Sequence, residues 1–372
     1  MRLYLIAGEA SGDLHGSLLI RELKKKEDNL NLRAWGGDKM KAQGATLVKH
    51  YRELAFMGIA EVIKNLRTIL RNLSLCKKDI LAHRPDTLIL IDYPGFNLRI
   101  AKWAKKQRIP VIYFISPQVW AWKENRVKQM RETIDRMIVI LPFEKKYFLE
   151  KWNWDVEYVG HPLVEVVDEW VKTHSHPELT GTKKQIAVLP GSRKQEILKK
   201  LPVMLELSKH FTDYQFVVAK APGIEPGFYD ELLQQYSNVS SVSGETYQLL
   251  SQATAAIVTS GTATLETALF GIPEVVCYKT SNLTYQVGKR LVKVKYISLV
   301  NLIMDRPVLK ELIQDDMTVE NLRVELESLL HDPGRRSQLR EDYRKLRELL
   351  SSEGSAPTRA AAIVSEFVRS KA

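Results

Sequence analysis

The chain has 372 residues, of which 45% are hydrophobic, and carries a formal net charge of +11. This length is enough for two domains that each bury a core. Cys76 and Cys277 are the only cysteines, which excludes a disulfide scaffold and a cysteine-rich metal site and suits a reducing cytosol. No run of about 18 apolar residues occurs, so we expect no membrane span. The apolar run at residues 2–7 is too short for a signal peptide.

The excess positive charge is concentrated in the first half of the chain. Between Arg99 and Lys151 there are 13 Lys and Arg against 5 Asp and Glu. Such a field favours an anionic partner, such as a phosphorylated substrate or an acidic lipid surface. A solvated surface kept soluble by its charge is the alternative. We expect no nucleic acid partner, because the sequence has no zinc-finger spacing, no RNP signature and no repeated aromatic stacking positions.

Short aliphatic strands alternate with helical stretches along the chain, a pattern typical of βαβ units and parallel sheets. The first half predicts strands at residues 2–7, 31–35, 87–91, 110–115 and 136–141. A polar linker at 173–182 follows, and the second half predicts strands at 185–189, 215–219, 238–242, 255–259 and 273–277. Residues 319–369 are predicted to be helical, with a break at Pro357.

The sequence therefore predicts an α/β fold of two Rossmann-like doubly wound domains facing a cleft, with C-terminal helices. The first domain is expected at residues 1–170 and the second at residues 183–350. A final helix at about residues 358–372 has the option of packing back onto the first domain.

The predicted strand at residues 87–91 ends in a single carboxylate, Asp92. An Asp at the carboxyl end of a buried strand can have its pKa raised by desolvation and can take a proton from a substrate hydroxyl. The alternative is that Asp92 caps the next helix, whose apolar positions begin at Phe96. Pro94 and Gly95 are expected to prevent the continuation of either strand or helix.

Three predicted strand-to-helix junctions have the small residues that suit phosphate binding. The first covers Gly8 to Gly16, but it lacks the G-x-G-x-x-G spacing, so a dinucleotide site is disfavoured. The second is Leu189 to Arg193, where a small-residue turn precedes an arginine whose paired donors match phosphate oxygens.

The third junction is Ser260-Gly261-Thr262, which opens a predicted helix whose free amides suit a diphosphate. Glu266 lies one to two turns later on the same helix. Each turn alone is also an ordinary structural βα turn. Two such turns in the second domain favour one shared anionic nucleotide ligand.

A stripe of apolar residues with helical spacing follows the second predicted strand. Its members are Ile59, Val62, Ile63, Leu66, Ile69, Leu70 and Leu73. A crossover helix packed on its own sheet is one interpretation. A mostly cationic opposite face and the apolar residues Phe56 and Met57 favour the other, a helix lying on an anionic membrane. In that case Val62, Ile63, Leu66, Ile69 and Leu70 would contact the membrane or acyl chains.

A set of motifs between residue 3 and about residue 312 carries a family resemblance. In chain order they are Gly8-Glu9-Ala10-Ser11-Gly12-Asp13, Phe56-Met57-Gly58-Ile59, Ile91-Asp92 with Pro94 and Phe96-Asn97, Ser116-Pro117-Gln118-Val119-Trp120-Ala121-Trp122, Leu141-Pro142-Phe143-Glu144, Gly160-His161-Pro162, Leu189-Pro190-Gly191-Ser192-Arg193, Ser260 to Glu266, and Tyr296 to Leu302. Together they strongly resemble the lipid-A-disaccharide synthase family. The blocks around Trp120 and Gly191 are highly specific.

The resemblance implies a GT-B glycosyltransferase that joins UDP-2,3-diacylglucosamine to 2,3-diacylglucosamine 1-phosphate. The products would be UDP and a β-1,6-linked acylated disaccharide 1-phosphate on the route to lipid A. The expected location is cytoplasmic, peripheral on the cytoplasmic face of the inner membrane. We expect no cofactor, and no metal either, because no Asp-x-Asp pair is placed to hold one. The oligomeric state, acyl-chain length and degree of domain closure stay open.

The inverting transfer assigns roles to the candidate residues. Asp92 would be the catalytic base, alone in its turn because Gly95 stands where family members often carry a second acid. The nucleotide would contact Gly191, Ser192, Arg193, Ser260, Gly261, Thr262, Glu266 and Asn301. The acceptor sugar would face Glu9, Ser11, Gly12 and His15.

Two sets of aromatic side chains leave alternatives open. His15 and His161 either assist proton transfer or are structural histidines of their turns. Trp120 and Trp122 either form an acyl-chain wall or pack between domains. Two rival functions also remain: another UDP-amino-sugar enzyme of the same fold, such as an epimerase or transferase, and a non-enzymatic protein that binds anionic lipid or nucleic acid.

Overall fold

The computed structural model describes residues 1–54, 66–174, 183–222, 224–291, 294–351 and 354–371. The chain divides into two compact units. Unit 1 contains residues 1–162 and 350–372, and unit 2 contains residues 163–349. In the described residues, each unit is built on one sheet of parallel strands, seven-stranded in unit 1 and six-stranded in unit 2.

The sheet of unit 1 has the strand order β3-β2-β1-β4-β5-β6-β7. Its central strands are continuous apolar runs because helices cover both faces of a parallel sheet, and all five residues of β4 are buried. The strands are β1 Arg2–Ala7, β2 Asn31–Gly36, β3 Thr46–His50, β4 Thr87–Ile91, β5 Val111–Phe114, β6 Arg136–Val139 and β7 Glu157–Tyr158.

Helices cross between the strands of unit 1, and the last helix of the chain returns to it. Thr358 on this last helix donates a hydrogen bond to Glu22 on the first helix at 3.0 Å, and Arg369 pairs with Glu27 at 2.7 Å. The helices are α1 Ala10–Lys24, α2 Asp38–Ala42, α3 Leu66–His83, α4 Pro94–Lys106, α5 Arg126–Thr133, α6 Pro142–Trp152 and the last helix, α16, Ala356–Arg369.

The sheet of unit 2 has the strand order β10-β9-β8-β11-β12-β13, which repeats the order of the first six strands of unit 1. Its strands are β8 Lys184–Leu189, β9 Tyr214–Lys220, β10 Val239–Ser243, β11 Ala253–Thr259, β12 Glu274–Tyr278 and β13 Glu311–Ile313. Its helices are α7 Pro162–Thr173, α8 Lys194–Leu207, α9 Pro226–Leu233, α10 Thr246–Gln252, α11 Thr262–Leu269, α12 Asn282–Leu291, α13 Leu299–Met304, α14 Val319–His331 and α15 Pro333–Leu350.

The predicted α/β fold with two Rossmann-like sheets is confirmed. Each predicted strand is present within two residues of its predicted ends, and β3, β7 and β13 at the sheet edges were not predicted. The predicted strand end before Pro94 is confirmed, because β4 ends at Ile91, and so is the predicted break before the last helix, because α15 ends at Leu350 and α16 begins at Ala356. Pro94 lies in the first turn of α4 and Pro357 in the first turn of α16, where a missing N–H costs no helical hydrogen bond. Residue 170, the predicted domain boundary, lies inside α7, which clusters with unit 2.

Both sheets reverse their strand order at one point, and this is where open α/β sheets bind ligands. In unit 1 the reversal lies between β1 and β4, and in unit 2 between β8 and β11. The turns that follow these four strands contain Glu9, Asp92, Arg193 and Gly261. Within the described residues, no helix combines the length and hydrophobicity needed to cross a membrane.

Candidate functional site

Asp92 lies in a strained turn at the carboxyl end of β4. Asp92 and Tyr93 both have left-handed backbones, with φ angles of 43° and 49°. Two consecutive non-glycine residues in this region are costly, and such strain clusters at functional sites. Tyr93 occupies the N-cap position of α4, which begins at Pro94. The alternative that Asp92 caps this helix is therefore wrong.

The buried side chain of Asn97 holds this turn in place. Its Nδ2 atom donates hydrogen bonds to the carbonyl oxygens of Ile6 at 3.3 Å, Ile91 at 3.2 Å and Asp92 at 2.8 Å. The hydroxyl of Tyr113 on β5 donates to the same Asp92 carbonyl at 2.6 Å. These bonds fix the main chain of Asp92 at the carboxyl end of β4.

The surroundings of Asp92 raise the pKa of its carboxyl group. Burial, and secondly the negative charge of Glu9, raise the pKa of Asp92 to about 7, while the Tyr93 N–H opposes the shift. A carboxyl with a pKa near the working pH is suited to general base catalysis, because it is available in ionised form and still has substantial proton affinity. The predicted chemical character of Asp92 thus agrees with its surroundings.

Glu144 is a second buried carboxyl of unit 1, and sequence reasoning gave it no role. Its Oε1 atom accepts a hydrogen bond from the indole N–H of Trp120 at 3.1 Å, and Oε2 accepts from the Leu141 N–H at 3.1 Å. Burial raises the pKa of Glu144 to about 7, and the charge of Asp92 adds to the shift. The available signal was an acid three residues after a predicted strand end, in a motif shared with the family.

Both the indole N–H and the ring of Trp120 contact residues of unit 1. Besides its bond to Glu144, its ring packs edge-on against Phe143, with the centroids 4.9 Å apart. Trp122 differs, since 42% of its surface is exposed. The two tryptophans of one motif therefore have different surroundings.

The four residues predicted to face the acceptor sugar are in different environments. Glu9 is half-buried and acts on Asp92, and Ser11 is exposed in the first turn of α1. Gly12 is buried where α1 meets β1. Asp13, which had no predicted role, is also buried and accepts bonds from the N–H groups of Gly37 and Met40. Its carboxylate thereby stabilises the start of α2.

His15 is buried rather than presented to a ligand. It is 6% exposed, and its ring lies edge-on to that of His161 with the centroids 6.4 Å apart. Burial lowers the pKa of His15 to about 4 and that of His161 to about 3. Both histidines are therefore neutral at pH 7, which favours the structural alternative over proton transfer.

The turn after β8 in unit 2 presents Arg193 at the N-cap of α8. Gly191 has a φ of 114°, which only glycine adopts without strain. The Arg193 side chain is 54% exposed and its Nη1 atom lies 3.0 Å from Glu196 Oε1. Glu196 Oε2 in turn lies 4.0 Å from Nζ of Lys200, a buried lysine that was not predicted. The arginine is exposed to solvent with one carboxylate beside it.

The turn after β11 agrees with its prediction only in part. Gly261, with a φ of 152°, is the N-cap of α11, and Thr262 is exposed at its first position. The first amides of a helix have no intrahelical acceptor. Ser260 differs, because its N–H donates a hydrogen bond to the Cys277 carbonyl oxygen at 3.0 Å and its hydroxyl donates to the Ile297 carbonyl oxygen at 2.8 Å. The prediction that Ser260 offers a free amide was wrong, since the strand and a loop already use its donors.

Glu266 and Asn301 also have partners within unit 2. Glu266 accepts a bond from the Tyr247 hydroxyl at 2.7 Å, and burial raises its pKa. The Asn301 side-chain amide donates hydrogen bonds to the Leu309 carbonyl oxygen at 2.9 Å and to the Glu311 carboxylate at 2.9 Å. Its oxygen accepts a hydrogen bond from the Leu309 N–H at 2.8 Å. Asn301 lines a cavity of about 360 Å³, but its polar atoms are occupied by the protein itself.

The predicted membrane stripe is described in part. Val62 and Ile63 lie outside the described residues, and α3 begins at Leu66. Ile69 packs against the hydrophobic core of unit 1, whereas Leu70 is 55% exposed. The stripe is thus divided between core and surface.

The sequence was compared with known protein families. The family model for lipid-A-disaccharide synthetase matches residues 3–365. The chain belongs to this family. The chain is therefore an enzyme, a glycosyltransferase with the α/β architecture of two Rossmann-like units.

Similar proteins carry the same family name. A lipid-A-disaccharide synthase of Syntrophus aciditrophicus is 39% identical over 361 residues, which cover 95% of this chain and 94% of that protein. One from Geobacter sulfurreducens is 37% identical, with 99% and 97% covered. The similarity to these synthases extends over both units.

Solved structures of low sequence identity share the fold. A UDP-GlcNAc 2-epimerase from Neisseria meningitidis, bound to UDP-GlcNAc, has a TM-score of 0.68 at 14% identity, with all of both chains covered. The calicheamicin glycosyltransferase has a TM-score of 0.60 at 17% identity, with 100% of this chain and 99% of that chain covered. At this identity they support the architecture of this chain and no more.

Proposed function

We propose that the enzyme transfers 2,3-diacylglucosamine from UDP to the 6-hydroxyl of 2,3-diacylglucosamine 1-phosphate with inversion at C1. The acceptor oxygen attacks C1, the bond from C1 to the diphosphate oxygen breaks, and the hydroxyl proton passes to the carboxylate of Asp92. The products are UDP and the β-1,6-linked disaccharide 1-phosphate. The observation that carries the proposal is the carboxyl of Asp92, with its pKa near 7 and its main chain fixed by Asn97 and Tyr113.

Unit 2 supplies the groups proposed to bind UDP. Arg193 leaves its ion pair with Glu196 and binds the diphosphate, and the amides at Gly261 and Thr262 stabilise the negative charge that grows on the leaving group. Gly191 and Ser192 let the backbone approach the phosphates. One carboxylate oxygen of Glu266 accepts a hydrogen bond from a ribose hydroxyl, while the other accepts a hydrogen bond from the Tyr247 hydroxyl.

Other predicted residues act indirectly in this proposal. Ser260 and Asn301 position the loops around the nucleotide, because their side chains are bonded to Ile297 and Leu309. Glu9 and Ser11 would contact the acceptor in this proposal, and Gly12 and His15 would support the turn that carries them. No metal is required, since arginine and helix amides carry the charge of the diphosphate. The enzyme works at the cytoplasmic face of the inner membrane, where it meets its acylated substrates.

One product assay tests the proposal. Purified enzyme is incubated with both acylated sugars in detergent, with and without a strong chelator. The products are then identified and quantified by mass spectrometry. We expect UDP and one disaccharide 1-phosphate, in equal amounts and at an unchanged rate with chelator present. Conversion of the UDP-sugar without use of the acceptor would instead support an epimerase. Absence of any turnover would reject the proposed transfer.

A further inference from the structure

Two cations in unit 1 surround one exposed aromatic ring. The segment between β5 and α5 places Lys123 Nζ 4.2 Å, and Arg126 Cζ 5.9 Å, from the ring centroid of Trp122. Lys123 is exposed and Arg126 is half-buried. Throughout the described parts of the chain, neither cation forms an ion pair with a carboxylate. Among the described residues, the contact recorded for both charges is the weak attraction of the indole ring.

The nearest acidic residue in sequence does not neutralise this pair. Glu124 lies between the two cations in the chain, yet its Oε1 atom accepts a hydrogen bond from the Tyr147 hydroxyl at 2.7 Å and pairs with Lys151 at 2.5 Å. Burial, and then the charge of Arg126, lower the pKa of Lys123. The two cations therefore repel each other in the free protein, and an anion between them would relieve that repulsion.

Strained backbone bounds the same segment. Ile115, directly after β5, has a φ of 69°, and Lys123 has a φ of 56°. A β-branched residue with a left-handed backbone is a genuine outlier, and strain of this kind persists where the surroundings hold a functional conformation. The segment that carries Lys123 is therefore held in an unusual conformation at both ends.

The segment lies beside Asp92. Strands β4 and β5 are parallel, with Ile91 opposite Phe114, so Asp92 and Ile115 leave the same edge of the sheet. The Tyr113 hydroxyl bonds to the Asp92 carbonyl. The pKa of Tyr113 is raised by burial and by Asp92 and is lowered by Arg126, so both charges act on one hydroxyl group.

We propose that Lys123, Arg126 and Trp122 form a binding site for the phosphate monoester of the sugar acceptor whose hydroxyl Asp92 deprotonates. The inference rests on the proposed function and adds the group that recognises the phosphorylated end of the acceptor. A monoester dianion carries the two charges that the two cations require, and the arginine offers paired donors to phosphate oxygens. Trp122 is 42% exposed, and an aromatic ring suits the apolar face of a sugar.

Binding measurements test this site without any turnover. Wild-type enzyme in detergent micelles is titrated with 2,3-diacylglucosamine 1-phosphate and with its dephosphorylated counterpart. We expect the wild type to prefer the phosphorylated sugar by at least about tenfold, the range for hydrogen bonds to charged groups. Arg126→Gln and Lys123→Gln should each reduce that preference. Lys128→Gln, an exposed cation on the same helix, should leave it unchanged. Equal wild-type affinity for the two sugars, or binding of neither, would overturn the site.

Kinetics separate this inference from the proposed function. In the transfer assay, Arg126→Gln should raise KM for the phosphorylated acceptor at least about tenfold, with kcat changed much less and the melting temperature unchanged. If the wild type prefers the phosphorylated sugar but makes no disaccharide, the site stands and the proposed transfer fails. If disaccharide forms and both variants keep the wild-type KM, the site fails alone. Variants that lose binding to anionic phospholipid vesicles but keep the sugar preference would assign the cations to lipid headgroups and overturn the acceptor site.

Discussion

Asn97 Nδ2 lies 2.8 Å from the carbonyl oxygen of Asp92, and this bond fixes the left-handed turn that carries the proposed base. The same nitrogen also reaches the carbonyls of Ile6 and Ile91. One buried amide thus ties β1 and β4 to the turn that follows β4. The position of Asp92 depends on this side chain as well as on its own place in the sequence.

Asn97→Leu should displace Asp92 without changing UDP binding. Removal of a buried amide leaves carbonyl groups unsatisfied, so we expect a loss of about 1–3 kcal/mol of stability. Turnover should fall about a hundredfold, because small misplacements of a catalytic group are costly. UDP affinity, measured by calorimetry, should remain normal. Gln129→Leu, which removes one bond to the Leu98 carbonyl, is the matched control, and equal losses in the two variants would contradict the positioning role.

Asp92 should make turnover depend on pH near neutrality. Its folded-state pKa is raised to about 7, and a base acts only when ionised, so kcat/KM should fall as the pH drops below about 7 and level off above it. Asp92→Asn should lower turnover at least about a hundredfold, remove this pH dependence from the residual rate and leave UDP affinity nearly intact. Steady-state rates between pH 5.5 and 8.5 provide the measurement. A purified Asn variant with normal turnover would refute the assignment.

Arg193→Ala should weaken UDP binding by roughly 1.5–3 kcal/mol, the range for a hydrogen bond to a charged group. The measurement is calorimetric titration with UDP. Lys194→Ala is the control, because Lys194 is an adjacent exposed cation that pairs with Glu225 instead. Unchanged affinity in the Arg193 variant would place the diphosphate elsewhere, and equal weakening in both variants would indicate a general charge effect.

Leu70 tests peripheral binding to an anionic membrane. Leu70 is exposed on α3 while Ile69 packs on the core of unit 1. We therefore expect Leu70→Ser to reduce co-sedimentation with anionic vesicles without a change in melting temperature. Ile69→Ser should lower the melting temperature instead. Leu198→Ser, at an equally exposed leucine of unit 2, serves as the control and should bind vesicles normally. Unaltered vesicle binding by the Leu70 variant would argue against α3 as the contact.

Glu274 should make the stability of the protein depend on pH. It begins β12 with no exposed surface, and neither carboxylate oxygen has a hydrogen-bond partner in the described structure. Burial raises its pKa well above 4.5. The folded state therefore binds this proton more tightly than the unfolded chain, and stability declines as the pH rises from about 4.5 towards the folded pKa.

Glu274→Leu should accordingly stabilise the protein by roughly 1–3 kcal/mol at pH 8 and by much less at pH 4.5. Thermal unfolding of wild type and variant across this range is the measurement. Glu231→Leu, at an exposed position of unit 2, should show no such pH-dependent difference. A constant difference between wild type and the Glu274 variant at all pH values would show that the carboxyl is not titrating as described.

The sequence by itself was sufficient to predict ten of the thirteen described strands, the two parallel sheets and the turns proposed to bind ligands. Buried parallel strands are continuous apolar runs, and the turns that follow them contain glycine and one polar or charged residue, so β4 with Asp92 and β8 with Arg193 could be predicted from local patterns. The edge strands β3, β7 and β13 escaped prediction because half-exposed short strands lack that pattern.

Only the tertiary structure decided which side chains of these turns are free. Ser260 is adjacent to Gly261 in sequence, but its hydroxyl is taken by Ile297, and Glu144 gains its raised pKa from burial and from Asp92, 52 positions away in the numbering. His15 is buried, and its ring lies edge-on to that of His161, far along the chain. Hydrogen bonding, desolvation and charge act over a few ångströms in space regardless of separation along the chain. Local sequence therefore determined where the chemistry can occur, and packing between distant elements determined which residues remain available for it.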